Sequence, residues 1–268
     1  MRRWLWCVAA CLTVGCNSTP EGTLPEPEPT PAPVQTVTPT AELERLAKVD
    51  PIAFLERCRD KTEREIKSTR GTLLMRERVM GKVTPPERVQ FSFKDRPYSI
   101  RMEWKEGAKL ARKTLFVIGQ NDGYMFVQPS GWRSLAGIVR SKPDSEDALN
   151  SSRVPITKFG MQKGIESTIR AWKEARASGD FQVTFSGRKT IPPLGDRPVW
   201  ELKRIASKPC EAEGIVKATY YIDTQTCLQV GFHLLGQGDE LIGTYYFRDL
   251  EINPVFDKDT FSRDGLKK

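Results

Sequence analysis

Period two governs most of this chain. Tyr98, Ile100, Met102 and Trp104 alternate with Ser99, Arg101, Glu103 and Lys105, the pattern of a strand with one dry face and one wet face. Similar runs are read over Thr72–Met80, Glu87–Lys94, Lys113–Ile118, Tyr124–Gln128 and Arg133–Ile138, and again over Phe181–Arg188, Pro198–Ile205, Ile215–Asp223, Leu228–Leu235 and Leu241–Leu250. The links are short and rich in turn formers: Gly119-Gln-Asn-Asp-Gly123, Asp223-Thr-Gln-Thr226 and Gly236-Gln-Gly-Asp239. Links of that length join antiparallel neighbours. Ten or eleven strands are too many for a flat sheet, so the series has to curl or partly close into a barrel.

Three stretches break the alternation with helical spacing. Ala41–Val49 and Pro51–Lys67 are rich in Glu, Arg, Leu and Ala, and Ile52, Leu55, Cys58, Thr62 and Ile66 form one stripe. Asp50-Pro51 reads as an N-cap followed by proline in the first turn. Pro155–Ala177, closed by Gly179-Asp180, places Phe159, Ile165, Ile169 and Trp172 on one side. A single apolar stripe on each means a helix lying on a sheet. The class is therefore α+β, mainly β: a curled, half-open antiparallel barrel with helices covering one face.

The amino-terminal forty residues specify an address. Met1-Arg-Arg is a positive n-region, Trp4–Val14 a short apolar stretch, and Gly15-Cys16 its end. An apolar run that short falls well below the ~20 residues a bilayer span needs. Residues 1–15 are read as a signal peptide whose removal leaves Cys16 first, as the acceptor of a lipid anchor. Two or three acyl chains there hold a protein stably on a membrane. Between Asn17 and Thr40 stand seven prolines interleaved with Glu and Thr. Such a tract buries no core and extends as polyproline II, reaching roughly 70 Å at ~3.1 Å per residue. The expected order is signal 1–15, anchor and tether 16–40, and one domain over 41–268, in the bacterial envelope with that domain facing the periplasm.

Charge and side-chain chemistry narrow the function. The net charge of +8 is spread over 42 basic and 34 acidic residues without a dense block, a solvated basic surface that also suits anionic lipid headgroups. No nucleic-acid motif is present. The chain has one histidine, His233, on a strand-like run, and no Gly-x-Ser-x-Gly elbow, so no nucleophile–base set is identified. No Cys/His spacing suits a metal and no dinucleotide loop precedes a helix, so neither a metal nor a cofactor is expected. With Cys16 acylated, Cys58, Cys210 and Cys227 remain. Cys58 belongs to the helical stripe as a buried free thiol. Cys210 and Cys227 flank a strand and are the candidate disulfide, with three free thiols the alternative.

The carboxy-terminal third carries a family resemblance. Tyr220–Val230, Asp239–Asn253 and Phe256–Phe261 place a strand ending in Asp and a turn, a hairpin, a strand ending at Asn253-Pro254, and an acidic turn before Phe261. This resembles the closing strands of the bacterial lipoprotein-carrier superfamily, which holds the periplasmic Lol carrier, its outer-membrane receptor lipoprotein and related envelope-stress regulators. Asp50–Leu55, Arg76-Glu-Arg78, Gly81-Lys82, Phe93–Trp104 and Pro155–Gly160 are similar, more closely, to an uncharacterised lipoprotein family within it. The resemblance spans about residues 50–262 and implies a half-barrel whose helices cover the concave face over an apolar cavity. A soluble carrier has no anchor, so Cys16 points to a receptor-like or sensor-like member.

Trp104, Phe116, Phe126, Trp132, Phe185, Trp200, Phe232 and Tyr245 sit on the strand-like runs. Aromatics on one face of a sheet ordinarily fill a core; the resemblance makes them the candidates for lining a cavity that takes a lipid, a lipoprotein acyl chain or another hydrophobic ligand. A non-enzymatic scaffold that binds envelope protein partners is the second reading. A hydrolase acting on envelope polymers is the third and weakest.

Overall fold

A computed structural model describes residues 39–210 and 214–267. The signal sequence, Cys16 and the tether as far as residue 38 lie outside the described residues. Among those described, no helix is long and apolar enough to cross a membrane.

The chain enters through α1 (Pro39–Val49) and α2 (Pro51–Glu65). The first helix begins two residues earlier than its composition implies, because Pro39 is tolerated in an opening turn. Asp50 caps α2 by accepting a hydrogen bond from the Ala53 amide at 3.2 Å. Ile52, Leu55, Cys58 and Thr62 are buried as their spacing requires, together with Phe54.

Twelve strands follow, every pairing antiparallel. The first series is β1 (Ser68–Val79), β2 (Lys82–Val83), β3 (Glu87–Lys94), β4 (Ser99–Glu106), β5 (Ala111–Val117), β6 (Met125–Pro129) and β7 (Val139–Ser141). The connection after β7 carries α3 (Glu146–Ser151) and α4 (Met161–Ala177). The second series is β8 (Gln182–Lys189), β9 (Val199–Cys210), β10 (Ile215–Asp223), β11 (Gln229–Leu235) and β12 (Leu241–Ile252). The spatial order is β7-β6-β5-β4-β3-β1-β12-β11-β10-β9-β8, with β2 paired to β1. Two meanders therefore meet where the first strand pairs the last, and the far strands β7 and β8 leave the sheet open.

Two sequence expectations change. The strand read over Arg133–Ile138 is a 3₁₀ segment, Gly131–Ala136, bracketed by Gly131 at φ 60° and Gly137 at φ 67°; pairing resumes only at β7. The helical stretch read from Pro155 opens instead with a 3₁₀ turn at Ile156–Lys158, and α4 starts after Gly160, whose φ of 121° reorients the chain.

The helices cover one half of the concave face. Ile52, Phe54 and Leu55 of α2 and Ile165, Ile169 and Trp172 of α4 pack with Trp200, Leu202, Tyr220 and Ile222 of the β9–β10 side. Gly164 permits the approach of α4 to β11: a Cβ there would stand 3.3 Å from the Gln229 amide. The other half is lined by Leu73, Val89, Phe91, Phe93, Ile100, Met102 and Phe247, faced by Phe159 and Met161. A third, smaller cluster lies on the convex side, where Phe261 and Leu266 of the carboxy-terminal tail pack on Leu115, Val117 and Phe126. The tail is fixed by Lys113 Nζ and Arg101 Nη2, which donate to the carbonyls of Leu266 and Gly265 at 3.2 and 3.3 Å.

The turn residues singled out in the sequence carry specific bonds. Asp223 is buried, accepts from the amides of Gln225 and Thr226 at 3.0 and 2.6 Å, and pairs with Arg197 at 2.8 Å. Asn253, at φ 53°, accepts from the Lys67 and Ser68 amides at 2.7 and 3.2 Å and donates to the Glu65 carbonyl at 2.7 Å. One side chain thus ties the end of β12 to the junction of α2 and β1.

Candidate functional site

Between the concave face and the connection that carries α3 and α4 lies a cavity of about 940 Å³. That is the upper end of the roughly 300–1,000 Å³ range of small-molecule sites. Its sheet wall is built in rows fixed by strand register. Trp104 faces Val89, Val89 faces Leu73 and Leu73 faces Phe247. One row on, Glu87 faces Met75, Met75 faces Tyr245 and Tyr245 faces Phe232. Deeper, Met102, Thr114 and Val127 are cross-strand neighbours. The opposite wall is formed by Ala148, Val154, Ile156, Phe159 and the Gly164–Ala171 face of α4. The walls are mainly apolar because these positions alternate in phase with the buried face of each strand.

The two buried carboxylates of the lining gather with their partners at one end. Glu77 is fully buried and accepts from Tyr245 Oη at 2.6 Å and from the Arg153 amide at 3.3 Å. Arg153 Nε donates to the same tyrosine oxygen at 3.0 Å, and its guanidinium stands 5.6 Å from the ring centre. Glu87, 3% exposed, meets Lys109 Nζ at 2.7 Å and accepts from Trp104 Nε1 at 2.7 Å. Burial pushes the Glu87 carboxyl above its ordinary value, against the pull of Lys109 and Trp104. Burial likewise pushes the Tyr245 hydroxyl well up, keeping it a donor. Beside this end the 3₁₀ segment exposes Trp132 (81%) and Leu135 (91%) at the cavity mouth, with Arg133 5.7 Å from the Trp132 ring centre.

The aromatics named from the sequence divide. Trp104, Trp132, Phe232 and Tyr245 line the cavity, and Phe232 stacks on Tyr245 at 4.4 Å. Phe116 is buried in the core, edge-on to Tyr98 at 6.1 Å. Trp200 is fully buried against Phe54 and donates to Glu44 at 3.0 Å, and Phe185 packs in the same helix-covered cluster. Phe126 is on the convex face under the tail. The last four are outside the cavity wall.

The cysteines also need correction. Cys210 and Cys227 are not bonded; all three described cysteines are free. Cys210 Sγ is held at its hairpin by the Ile215 carbonyl at 3.0 Å. Cys227 points into the core, in the same buried cluster as Cys58 of α2. Burial pushes the Cys58 thiol up, and the neighbouring Cys58 holds Cys227 down.

His233 faces Thr219 and Thr244 across the strands, and burial lowers its proton affinity. Among the described residues no group of His, Cys, Asp and Glu could hold a metal ion.

Sequence reading missed Glu77, Glu87, Lys109, Thr114 and Arg153. The signal was present for three of them. Glu77 is in phase with Leu73 and Met75, Glu87 with Val89, Phe91 and Phe93, and Thr114 with Phe116. A carboxylate on the apolar phase of a strand is the mark of a polar group turned inward.

No curated protein matches the chain. Solved structures similar to this fold include MucB in the Pseudomonas aeruginosa MucA/MucB complex, 14% identical over 80% of this chain and 61% of that one, with a TM-score of 0.45. The chain thus spans less than two thirds of MucB. Others are the Mycobacterium tuberculosis lipoprotein LppX (12% identical, 77% of this chain and 98% of that one, TM-score 0.42) and a LolA superfamily protein from Nitrosomonas europaea (10% identical, 79% and 98%, TM-score 0.30). Over residues 66–266 the sequence matches the model of the family described as "Protein of unknown function (DUF1571)", and the chain belongs to that family.

Proposed function

We propose that this protein is an envelope lipoprotein, anchored through acylated Cys16 with its domain in the periplasm, that binds a lipid or a lipoprotein acyl group in the half-barrel cavity. The observation that carries the reading is the cavity itself: about 940 Å³ between two mainly apolar walls, with Trp132 and Leu135 exposed at its mouth. Acyl burial is worth about 0.8 kcal/mol per CH₂, so ten methylenes supply about 8 kcal/mol without any directional contact. The exposed Trp132, beside Arg133, has the chemistry of a side chain that rests at a lipid headgroup layer. The proline-rich tract after Cys16 supplies reach from the anchor.

The test is native mass spectrometry of the purified chain, followed by extraction and identification of whatever remains bound. A stoichiometric acyl-bearing adduct, lost when Met102 or Val127 is replaced by Asp in a protein that still folds, is the expected result. A clean ligand-free mass with no uptake of added lipid or lipopeptide would overturn the reading. It would leave the half-barrel as a scaffold whose open edges β7 and β8 can pair with a partner strand.

A further inference from the structure

The cavity's polar end has a definite charge balance. Two buried carboxylates, Glu77 and Glu87, are matched by two cations, Lys109 and Arg153, and both cations are engaged: Lys109 by Glu87 at 2.7 Å and by the Ser151 carbonyl at 3.0 Å, Arg153 by Tyr245 at 3.0 Å. The cluster sits where β4 turns into β5, the end at which the exposed 3₁₀ segment leaves the sheet; Ser130 binds the carbonyls of Lys109 and Leu110 at 2.6 and 2.9 Å. An acyl chain entering tail first passes the cluster and leaves its head there. Deeper in the wall, Thr114 is 5% exposed and its hydroxyl has no hydrogen-bond partner, between Met102 and Val127. A buried hydroxyl without a partner is a vacancy for a ligand's donor or acceptor.

We infer that the cavity takes an acyl lipid with an uncharged, hydrogen-bonding head, of the acylglycerol ester or alcohol type, and rejects a free fatty-acid carboxylate. This rests on the ligand-binding reading above. At the buried cluster an incoming carboxylate meets two carboxylates whose cations are already engaged, Arg133 and Lys158 of the lining, unpaired among the described residues, being exposed to solvent, and like charges at short range in a dry site repel strongly. An ester or hydroxyl adds no charge, can donate to or accept from the cluster, and offers Thr114 the partner it lacks. The same head chemistry occurs on a free acylglycerol and on the diacylglyceryl group of a lipidated cysteine.

The test is displacement of an uncharged apolar dye, N-phenyl-1-naphthylamine, from the full chain at pH 7.5. The competitors are monopalmitoylglycerol, a diacylglyceryl-cysteine peptide with no net charge, and palmitate. Monopalmitoylglycerol is expected to displace the dye at least tenfold more tightly than palmitate. Peptide competition at or above the glyceride's strength assigns the head to a lipoprotein source, and the glyceride alone assigns it to free lipid. Thr114→Val, close to isosteric on a strand, should weaken the glyceride roughly fivefold relative to the dye, whose own affinity is measured for each variant. Glu87→Gln frees Lys109 and should raise palmitate affinity about tenfold. Equal displacement by palmitate and glyceride, unmoved by either variant, overturns the inference while the cavity reading stands. Failure of the dye and every acyl compound to bind overturns both.

Discussion

Replacing Tyr245 with phenylalanine removes one hydroxyl from the floor of the cavity and leaves the ring in place. The ring's stack on Phe232, at 4.4 Å, survives the change. The hydroxyl's bond to Glu77 at 2.6 Å and its acceptance from Arg153 at 3.0 Å are lost. A hydrogen bond to a charged partner is worth about 1.5–3 kcal/mol, and a buried group left short of partners loses toward the upper part of that range. Tyr245→Phe should therefore cost about 2–3 kcal/mol, a fall in Tm of roughly 4–10 °C for a domain of this size. Urea unfolding followed by tryptophan fluorescence reads it, since Trp172 and Trp200 are buried in the helix-covered half. In a Glu77→Gln background the same change should cost at least 1 kcal/mol less, because the partner it served has changed. A cost below about 0.5 kcal/mol, or strict additivity of the two substitutions, would refute the claim that the Tyr245–Glu77 bond is a structural element of the cavity.

Three further outcomes are expected. Asn253→Ala should lose about 2–3 kcal/mol in urea unfolding, from three bonds and an alanine forced to φ 53°, whereas Asn253→Gly should lose about 1 kcal/mol less because glycine accepts that φ. Glu87 holds its proton above its ordinary value of 4.5 in the folded state. The folded protein is then the better proton binder just above pH 4.5, so this group makes stability fall as pH rises through that window. A scan of Tm against pH should show that slope in the native chain and its loss in Glu87→Gln; identical slopes would remove Glu87 as the cause. Trp132→Ala should leave stability within about 0.5 kcal/mol yet weaken sedimentation with anionic vesicles several-fold; undiminished sedimentation would take Trp132 out of any membrane contact.

The alternation of β4 and the turn at Asp223 were enough to read a curled antiparallel sheet, because period two and short turn-rich links leave few other arrangements. The helical stripe from Ile52 to Thr62 likewise marks the buried face of α2, and Ile66, read as its last position, is already extended. The division of aromatics between cavity and core was harder. Phe126 and Val127 are adjacent and both apolar, so the strand shows no alternation there; the convex face is dry because Phe261 and Leu266 cover it from more than a hundred residues away. Trp200 and Phe185 do face inward, but α1, α2 and α4 occupy that half, a matter of tertiary packing that no local pattern records. The thiol pairing failed for the same reason: Cys227 lies in a buried cluster with Cys58, a residue of the first helices, and spacing along the chain carries nothing about such packing.

The pairing of β1 with β12 in the middle of the sheet sets the order in which the protein can be made. A chain emerging amino terminus first presents β1 before every other strand, and its central partner β12 only after all of them. Until then each meander has a long unsatisfied strand edge, the template for wrong pairing between chains, and closure waits on the strand pairing of the greatest sequence separation among the described residues. Loss of β12 would therefore open the sheet at its middle. A stop codon ahead of Leu241 should yield aggregate or degraded product rather than a shortened domain.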